Sequence, residues 1–167
     1  MIEIVEATFQ DDFEEIQKIA YQTWPVSYGK ILSESQIKYM LGKMYSKIAL
    51  EEQANTYKHH FLILKENNES IGFASYELNH KHLPSTKIHK AYILPSVQGH
   101  GYGSLLLNKI ASLAKENKNE NLILNVNRQN PALQFYIKKG FSILREEDNQ
   151  IGCGYWMRDF VMIKKGI

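Results

Sequence analysis

Cysteine is nearly missing from this chain: Cys153 is the only one in 167 residues, so no internal disulfide can form and nothing suggests an oxidising compartment. No apolar run is long enough to span a bilayer, and the start, Met1-Ile2-Glu3-Ile4-Val5-Glu6, lacks the basic and apolar regions of a signal peptide. A cytoplasmic location with no membrane partner is the expectation. Charge of one sign is scarce too: 20 Lys and Arg against 18 Asp and Glu leave +2, spread without a basic block, so no nucleic-acid partner is expected. With only four prolines and no repeat, low-complexity tract or linker, residues 1–167 read as a single domain. At 44% hydrophobic, a chain of this length can bury a core without staples.

What is present in quantity is glycine in one place. Gln98-Gly99-His100-Gly101-Tyr102-Gly103-Ser104 follows an alternating stretch, Thr86 to Leu94, that reads as a strand. It precedes Leu106, Ile110 and Leu113 at helical spacing. Glycines let a ligand approach the backbone, and the first turn of a helix leaves N–H groups unpaired and partly positive, so the loop suits a phosphate. Spacing narrows the choice. The third glycine of G-x-G-x-x-G is absent, being Ser104 counted from Gly99 and Leu106 from Gly101, which excludes the dinucleotide loop; no Lys precedes Ser104 as a P-loop requires.

The loop does fit Q-x-x-G-x-G through Gln98, Gly101 and Gly103, led in by Ile93-Leu94-Pro95-Ser96-Val97. A second block, Asn130-Pro131-Ala132-Leu133-Gln134-Phe135-Tyr136-Ile137-Lys138-Lys139-Gly140-Phe141, lies downstream in the matching order. Together they resemble the GNAT superfamily of N-acetyltransferases. The resemblance implies an α/β (α+β) fold with a mixed, mostly antiparallel central sheet of about seven strands and helices on both faces. It also implies acetyl-coenzyme A as co-substrate, with the loop around its pyrophosphate.

Taken in order, the pattern predicts a short strand at Ile2 to Val5 and a helix capped by Asp11 with Glu14, its stripe Phe13, Ile16, Ile19 and Ala20, ended by Trp24-Pro25. A second helix follows Ser33 or Ser35 and carries Ile37, Met40, Leu41 and Met44. His60 to Leu64 and Ser70 to Leu78 read as a hairpin turning at Asn67 and Asn68. Beyond the central helix come a strand from Leu122 to Val126 and a helix with Asn130 as cap, Pro131 at its first turn and Gly140 as its left-handed end. Two strands, Phe141 to Arg145 and Tyr155 to Lys164, close the chain around a polar turn from Glu146 to Gln150. The expected order is one strand, two helices, three strands, a helix, a strand, a helix and two strands.

Acetyl transfer from a thioester to an amine requires coenzyme binding, deprotonation of the amine and protonation of the thiolate. By the resemblance, the backbone from Gly99 to Ser104 (Gly99, His100, Gly101, Tyr102, Gly103, Ser104) with Gln98 binds the pyrophosphate. Ala91, Tyr92 and Ile93 pair with the amide-like arm as an added strand would, and Asn130 contacts that arm, although the block is one residue shorter than N-x-x-A and Asn130 also reads as a simple cap. Tyr136 matches the family tyrosine that donates a proton to the leaving thiolate, whose thiol ordinarily ionises near about pH 8.5. An alkyl amine is only about one part in a thousand neutral at pH 7, so a base is needed. His89 is the candidate, taken to share a strand face with Ala91 and Ile93, where many relatives carry a glutamate; Glu77 is the reserve, and a hydrogen-bonded strand histidine is the plain alternative. Trp24 and Tyr28 read equally as a wall of the acceptor site or as packing between helices. His80 and His82, with the pair His59 and His60, read as solvated surface, and no metal is expected.

Trp24-Pro25, the Ile37 to Met44 helix and Gly152-Cys153-Gly154-Tyr155-Trp156-Met157-Arg158-Asp159 resemble most the bacterial spermidine/spermine acetyltransferases. That implies a small-molecule amine, with a polyamine such as spermidine foremost; a protein N-terminus, an amino acid and an aminoglycoside stay open. A non-catalytic acyl-coenzyme sensor is the reading from another class, and the chain is expected as a monomer or homodimer.

Overall fold

The computed structural model describes residues 1–8 and 12–167. Asp11, the expected cap, lies outside them; Asp12, the first residue of the first helix, accepts from the Thr8 N–H at 2.7 Å. The elements are β1 (Ile2–Glu6), α1 (Asp12–Tyr28), α2 (Glu34–Tyr45), α3 (Lys47–Asn55), β2 (His60–Glu66), β3 (Glu69–Glu77), β4 (Ser85–Ile93), α4 (Tyr102–Glu116), β5 (Asn121–Asn127), α5 (Ala132–Lys138), β6 (Ser142–Gly152) and β7 (Tyr155–Lys165). The seven strands form one sheet in the order β1-β2-β3-β4-β5-β7-β6. Only β4 and β5 run parallel. This is the mixed, mostly antiparallel architecture expected from the sequence.

Each face of the sheet covers its own core. On one face Leu62, Tyr76, Ile88, Leu122 and Leu124 pack under Leu106 and Ile110 of α4. On the other Phe61, Ile63 and Phe73 pack under Ile16, Trp24, Tyr45 and Leu50 of the first three helices. Alternation along the strands assigns the residues: Leu62 and Leu64 face α4, Phe61 and Ile63 face α1.

Three local expectations are corrected. The first helix runs through Pro25 to Tyr28. An interior proline costs about 3 kcal/mol, but the turn beyond it keeps Tyr28 buried on the sheet, with its hydroxyl 3.0 Å from that of Tyr92. A third helix, α3, escaped the sequence pattern because Leu50 is its one buried residue, too little for a periodic signal. Ser46 caps it through the Ala49 N–H at 3.1 Å, as Ser33 caps α2 through that of Gln36. Finally, Glu146 to Gln150 is strand, paired with Phe160 to Trp156; the chain turns at Gly152-Cys153-Gly154, all at positive φ. Arg145 of β6 itself, Arg158 of β7 and Arg128 just after β5 pair with the β6 acids, so a charged segment is held as the sheet edge. The turn at Asn67 and Asn68, both left-handed, and the left-handed Gly140 after α5 are as expected.

Candidate active site

The site is made by a place where the sheet stops pairing. β4 and β5 are bonded only from Ser85–Ile88 to Asn121–Leu124. Beyond Ile88 they part, leaving the β5-facing edge of β4 open. A bulge marks the parting: Ser75 pairs with Lys90 and Tyr76 with Ile88, so His89 is the extra residue.

A cavity of about 770 Å³ fills the opening on the α4 side. It is lined by Ala91, Tyr92 and Ile93, by Gln98, Gly99 and Gly101 to Ser104, by Asn130 and by Tyr136, which places most of the sequence-predicted coenzyme residues on one surface. His100 lies outside that lining; its Nδ1–H donates to the Val97 carbonyl at 3.1 Å, and its ring lies near Tyr102. Gln98 donates from Nε2 to the Ile93 carbonyl at 3.0 Å and so ties the loop to the end of β4. Gly101 caps α4 at φ 82 and Gly99 sits at φ 86, conformations that cost an L side chain about 1–2 kcal/mol. The loop thereby aims the first N–H groups of a 15-residue helix at the cavity.

Sequence reasoning missed two sets of lining residues. Thr23, Val26 and Ser27 come from the α1 turns beyond the expected helix end, and Lys138 and Lys139 from the end of α5. The lysines bring positive charge to a lining already suited to phosphate. A signal for them existed, since they follow Tyr136 by two and three positions on one helix.

Asn130 does cap: its Oδ1 accepts from the Ala132 N–H at 2.9 Å. Tyr136, two turns into the same segment, packs edge-on against Phe135 and Phe141. Burial raises its phenol above the ordinary range, so it holds its proton at neutral pH.

A smaller gap of about 60 Å³ passes between the parted strands, lined by Tyr28, His89, Ala91, Asn125, Asn130 and Tyr136 among others. It opens toward the α1 face, where Asn125 and Asn127 project from β5 opposite to Leu124 and Val126. Asp159 of β7 pairs in register with Asn127 and lies on that face. It is 7% exposed, and burial raises its pKa. Its Oδ2 accepts from Asn125 at 3.3 Å and Asn149 at 3.5 Å, while Oδ1 is buried with no hydrogen-bond partner among the described residues. Its neighbours Glu146, Glu147 and Asp148 have arginines at 3.5, 3.3 and 2.9 Å; Asp159 has no such ion pair among the described residues. Its charge also reaches the Tyr28 hydroxyl.

The remaining predicted residues are placed elsewhere. Trp24 is 1% exposed, its ring 4.6 Å from Tyr28 and 6.0 Å from Tyr45 and Tyr92, so it is core and no wall of a pocket. The bulge also corrects the face assigned to His89. Ile88, Ile93 and the cavity-lining Ala91 face α4, whereas His89 joins Lys90 on the α1 side. Its Nε2 lies 2.9 Å from Glu77 Oε1, and its ring stacks on His59 at 3.8 Å. Burial, then His59 and Lys87, push its pKa down to about 2. Glu77 also receives His80 Nδ1, at 2.8 Å.

A phosphate-suited loop, an open strand edge and a buried tyrosine around one cavity agree with what known proteins resemble this chain. The family model for the acetyltransferase (GNAT) domain matches residues 30–162. The chain belongs to the GNAT acetyltransferase family. This GNAT chain is 40% identical over 81 residues to the [ribosomal protein bS18]-alanine N-acetyltransferase of Haemophilus influenzae. That match takes in 48% of the chain and spans about half, 53%, of the relative. Among solved structures, the PaiA N-acetyltransferase of Thermoplasma acidophilum, in complex with coenzyme A, superposes with a TM-score of 0.82 at 26% identity over 99% of both chains. The ribosomal-protein-S18-alanine N-acetyltransferase of Escherichia coli shares the fold, with a TM-score of 0.73 at 16% identity over 99% of this chain and 94% of that one. No helix among the described residues is long and apolar enough to cross a membrane.

Proposed function

We propose that this chain transfers the acetyl group of acetyl-coenzyme A to a primary amine by direct attack. The observation that carries the reading is the gap between β4 and β5: it joins a phosphate-suited cavity holding Tyr136 to a face where Asp159 is buried with no ion pair among the described residues. Family membership and the coenzyme A complex of the Thermoplasma relative support it.

The residues divide the work. The loop from Gly99 to Ser104, the α4 N–H groups and Lys138 and Lys139 hold the pyrophosphate, and the free edge at Ala91 to Ile93 pairs with the arm. Acetyl-coenzyme A supplies an acyl group on a leaving group of thiol acidity. Asp159 receives the acceptor ammonium on its unpartnered Oδ1 and accepts the proton that the amine must lose, helped by its raised pKa. The amine nitrogen then bonds to the acetyl carbon, the carbon–sulfur bond breaks, Tyr136 gives its phenolic proton to the thiolate, and the second proton shed by the nitrogen restores the phenol. This assignment moves the base from His89. The bulge turns His89 toward Glu77, and an imidazole pushed down to about 2 is neutral but a weak proton acceptor.

Two acceptor classes follow from different observations. The bS18-alanine acetyltransferases among the relatives favour a protein N-terminus. The resemblance to spermidine/spermine acetyltransferases favours a polyamine, but the β6 acids Glu146, Glu147 and Asp148, which would hold further ammonium groups, already carry arginines, whereas Asp159 has no ion pair among the described residues. A single-headed amine or peptide N-terminus suits that better. The test is thiol release from acetyl-coenzyme A with an alanine-terminated peptide, spermidine and simple alkyl amines. Turnover on any amine, lowered by Tyr136→Phe, supports the enzyme; tight coenzyme binding with no turnover would make it a sensor. Asp159→Asn beside His89→Ala tests the base: the first should raise KM for the amine more than the second.

A further inference from the structure

Away from the coenzyme cavity, three histidines drawn from three segments of the fold meet one carboxylate. His59 immediately precedes β2, Glu77 ends β3, His80 sits in the turn that follows, and His89 is the extra residue of the β4 bulge. Ligand-capable atoms of His59, Glu77 and His89 all lie within 4.8 Å of one another. The histidines are far apart in sequence and no spacing motif links them, so only the pairing of β2, β3 and β4 makes the group visible.

Hydrogen bonding alone accounts for part of it. Glu77 Oε1 takes His80 Nδ1 at 2.8 Å and His89 Nε2 at 2.9 Å. It leaves His59 unexplained: that ring is stacked on His89 at 3.8 Å and 15°, and its Nδ1 is buried with no hydrogen-bond partner among the described residues. A buried imidazole nitrogen without a partner carries a free-energy cost that a bound cation would remove.

We propose that His59, Glu77 and His89 form a binding site for a divalent transition metal, zinc being the cation their chemistry suits best. Two imidazoles and one carboxylate are a borderline donor set that takes zinc, cobalt or nickel in preference to magnesium or calcium. Zinc bonds of about 2.0–2.2 Å bring tetrahedral ligand atoms to roughly 3.4 Å from each other, so side-chain rotations of about 1 Å or slightly more close the group. His80 steadies Glu77 from outside, as the partners of metal-ligating carboxylates do. Its turn is pinned in place: Asn79 and Asn119 exchange hydrogen bonds at 3.1 and 2.7 Å. Lys87 and Lys90 lie close enough to oppose the cation, but Lys90 is held by Gln53 Oε1 at 2.6 Å. A bound ion would clamp the β4 bulge to the ends of β2 and β3.

The test uses the full chain stripped with a chelator, titrated with zinc chloride by calorimetry and with cobalt chloride by visible absorption, and melted with and without zinc. One zinc per chain, a tetrahedral cobalt spectrum and a raised melting temperature are expected. His59→Ala and His89→Asn should each weaken zinc at least about tenfold, the lower bound for losing even an outer partner of a metal ligand, and should abolish the thermal shift. His59→Ala leaves both Glu77 hydrogen bonds in place, so its metal-free melting curve reports folding separately from binding. Absence of stoichiometric zinc binding to the native chain overturns the proposal. So does zinc binding that persists in both histidine variants, or that vanishes in Cys153→Ser instead.

Discussion

On the α4 side of the β4–β5 gap the cavity is bordered by a glycine loop; on the α1 side the gap is bordered by side chains. The first wall draws most of its lining from two stretches, Gln98 to Ser104 and Asn130 to Lys139, beside the end of β4, with glycines at φ 86 and 82 that any L residue would strain. The second carries Tyr28 of α1 and Asn125 of β5 at the gap, with Asp159 of β7 and Asn149 of β6 bonded behind Asn125 through strand register. A backbone wall reads a group common to every reaction, such as a pyrophosphate. A side-chain wall can change one residue at a time, and so suits the part of the site that selects an acceptor.

If the walls are separable, substitutions should divide between the two substrates. The largest effect falls on the residue they share. Tyr136→Phe should lower kcat roughly a hundredfold, as loss of a general acid does, with coenzyme affinity little altered; equal loss of coenzyme binding in calorimetry would show that the phenol binds and does not donate. Asp159→Asn should raise KM for the amine about ten- to a hundredfold, the worth of a hydrogen bond to a charged group, without moving the coenzyme dissociation constant.

The same variant has a stability signature of fixed sign. The folded-state pKa of Asp159 is raised, so the folded chain holds that proton more tightly than the unfolded one. Stability is therefore lost as pH rises from the ordinary carboxylate range through the raised value. Asp159→Asn should melt higher than the native chain at pH 7, and the difference should shrink in acid. A lower melting point at pH 7 would mean that the carboxylate is held by contacts and not kept for a ligand.

On the other wall, Gly101→Ala should weaken coenzyme binding about tenfold, from about 1–2 kcal/mol of left-handed strain, while KM for the amine stays put. No protein atom among the described residues lies within 4 Å of the added methyl, so within the chain the cost is backbone strain. Tyr28→Phe is the mildest case: losing one hydrogen bond to Tyr92 is worth about 1 kcal/mol, so kcat/KM should fall about fivefold. A change in coenzyme affinity as large as the change in amine KM would show that the two walls are coupled through Tyr92, which faces both.

What could be read in the sequence follows the same division. The glycine loop, the Asn67-Asn68 turn and the Asn130 cap are local, because each is set by φ preferences and side-chain reach within a few residues. α3 was invisible because one buried leucine makes no period, and the helix end after Trp24 was misplaced because the cost of Pro25 is offset by burial of Tyr28 against a strand some 60 residues later. Trp24 and Tyr28, four residues apart on one helix, looked equivalent; burial made one of them core and set the other at the gap.

By itself, then, the sequence determined the family, the phosphate loop and the tyrosine of the second block, since these depend on residue type at short spacing. Only the tertiary structure decided which groups stand on the α1 side of the gap. A single extra residue in β4 turned His89 away from Ala91 and toward His59 and Glu77, and the pairing of β5 with β7 set Asp159 beside Asn125. In a strand, facing reverses with every residue, so one bulge reassigns a side chain in a way that no local pattern records.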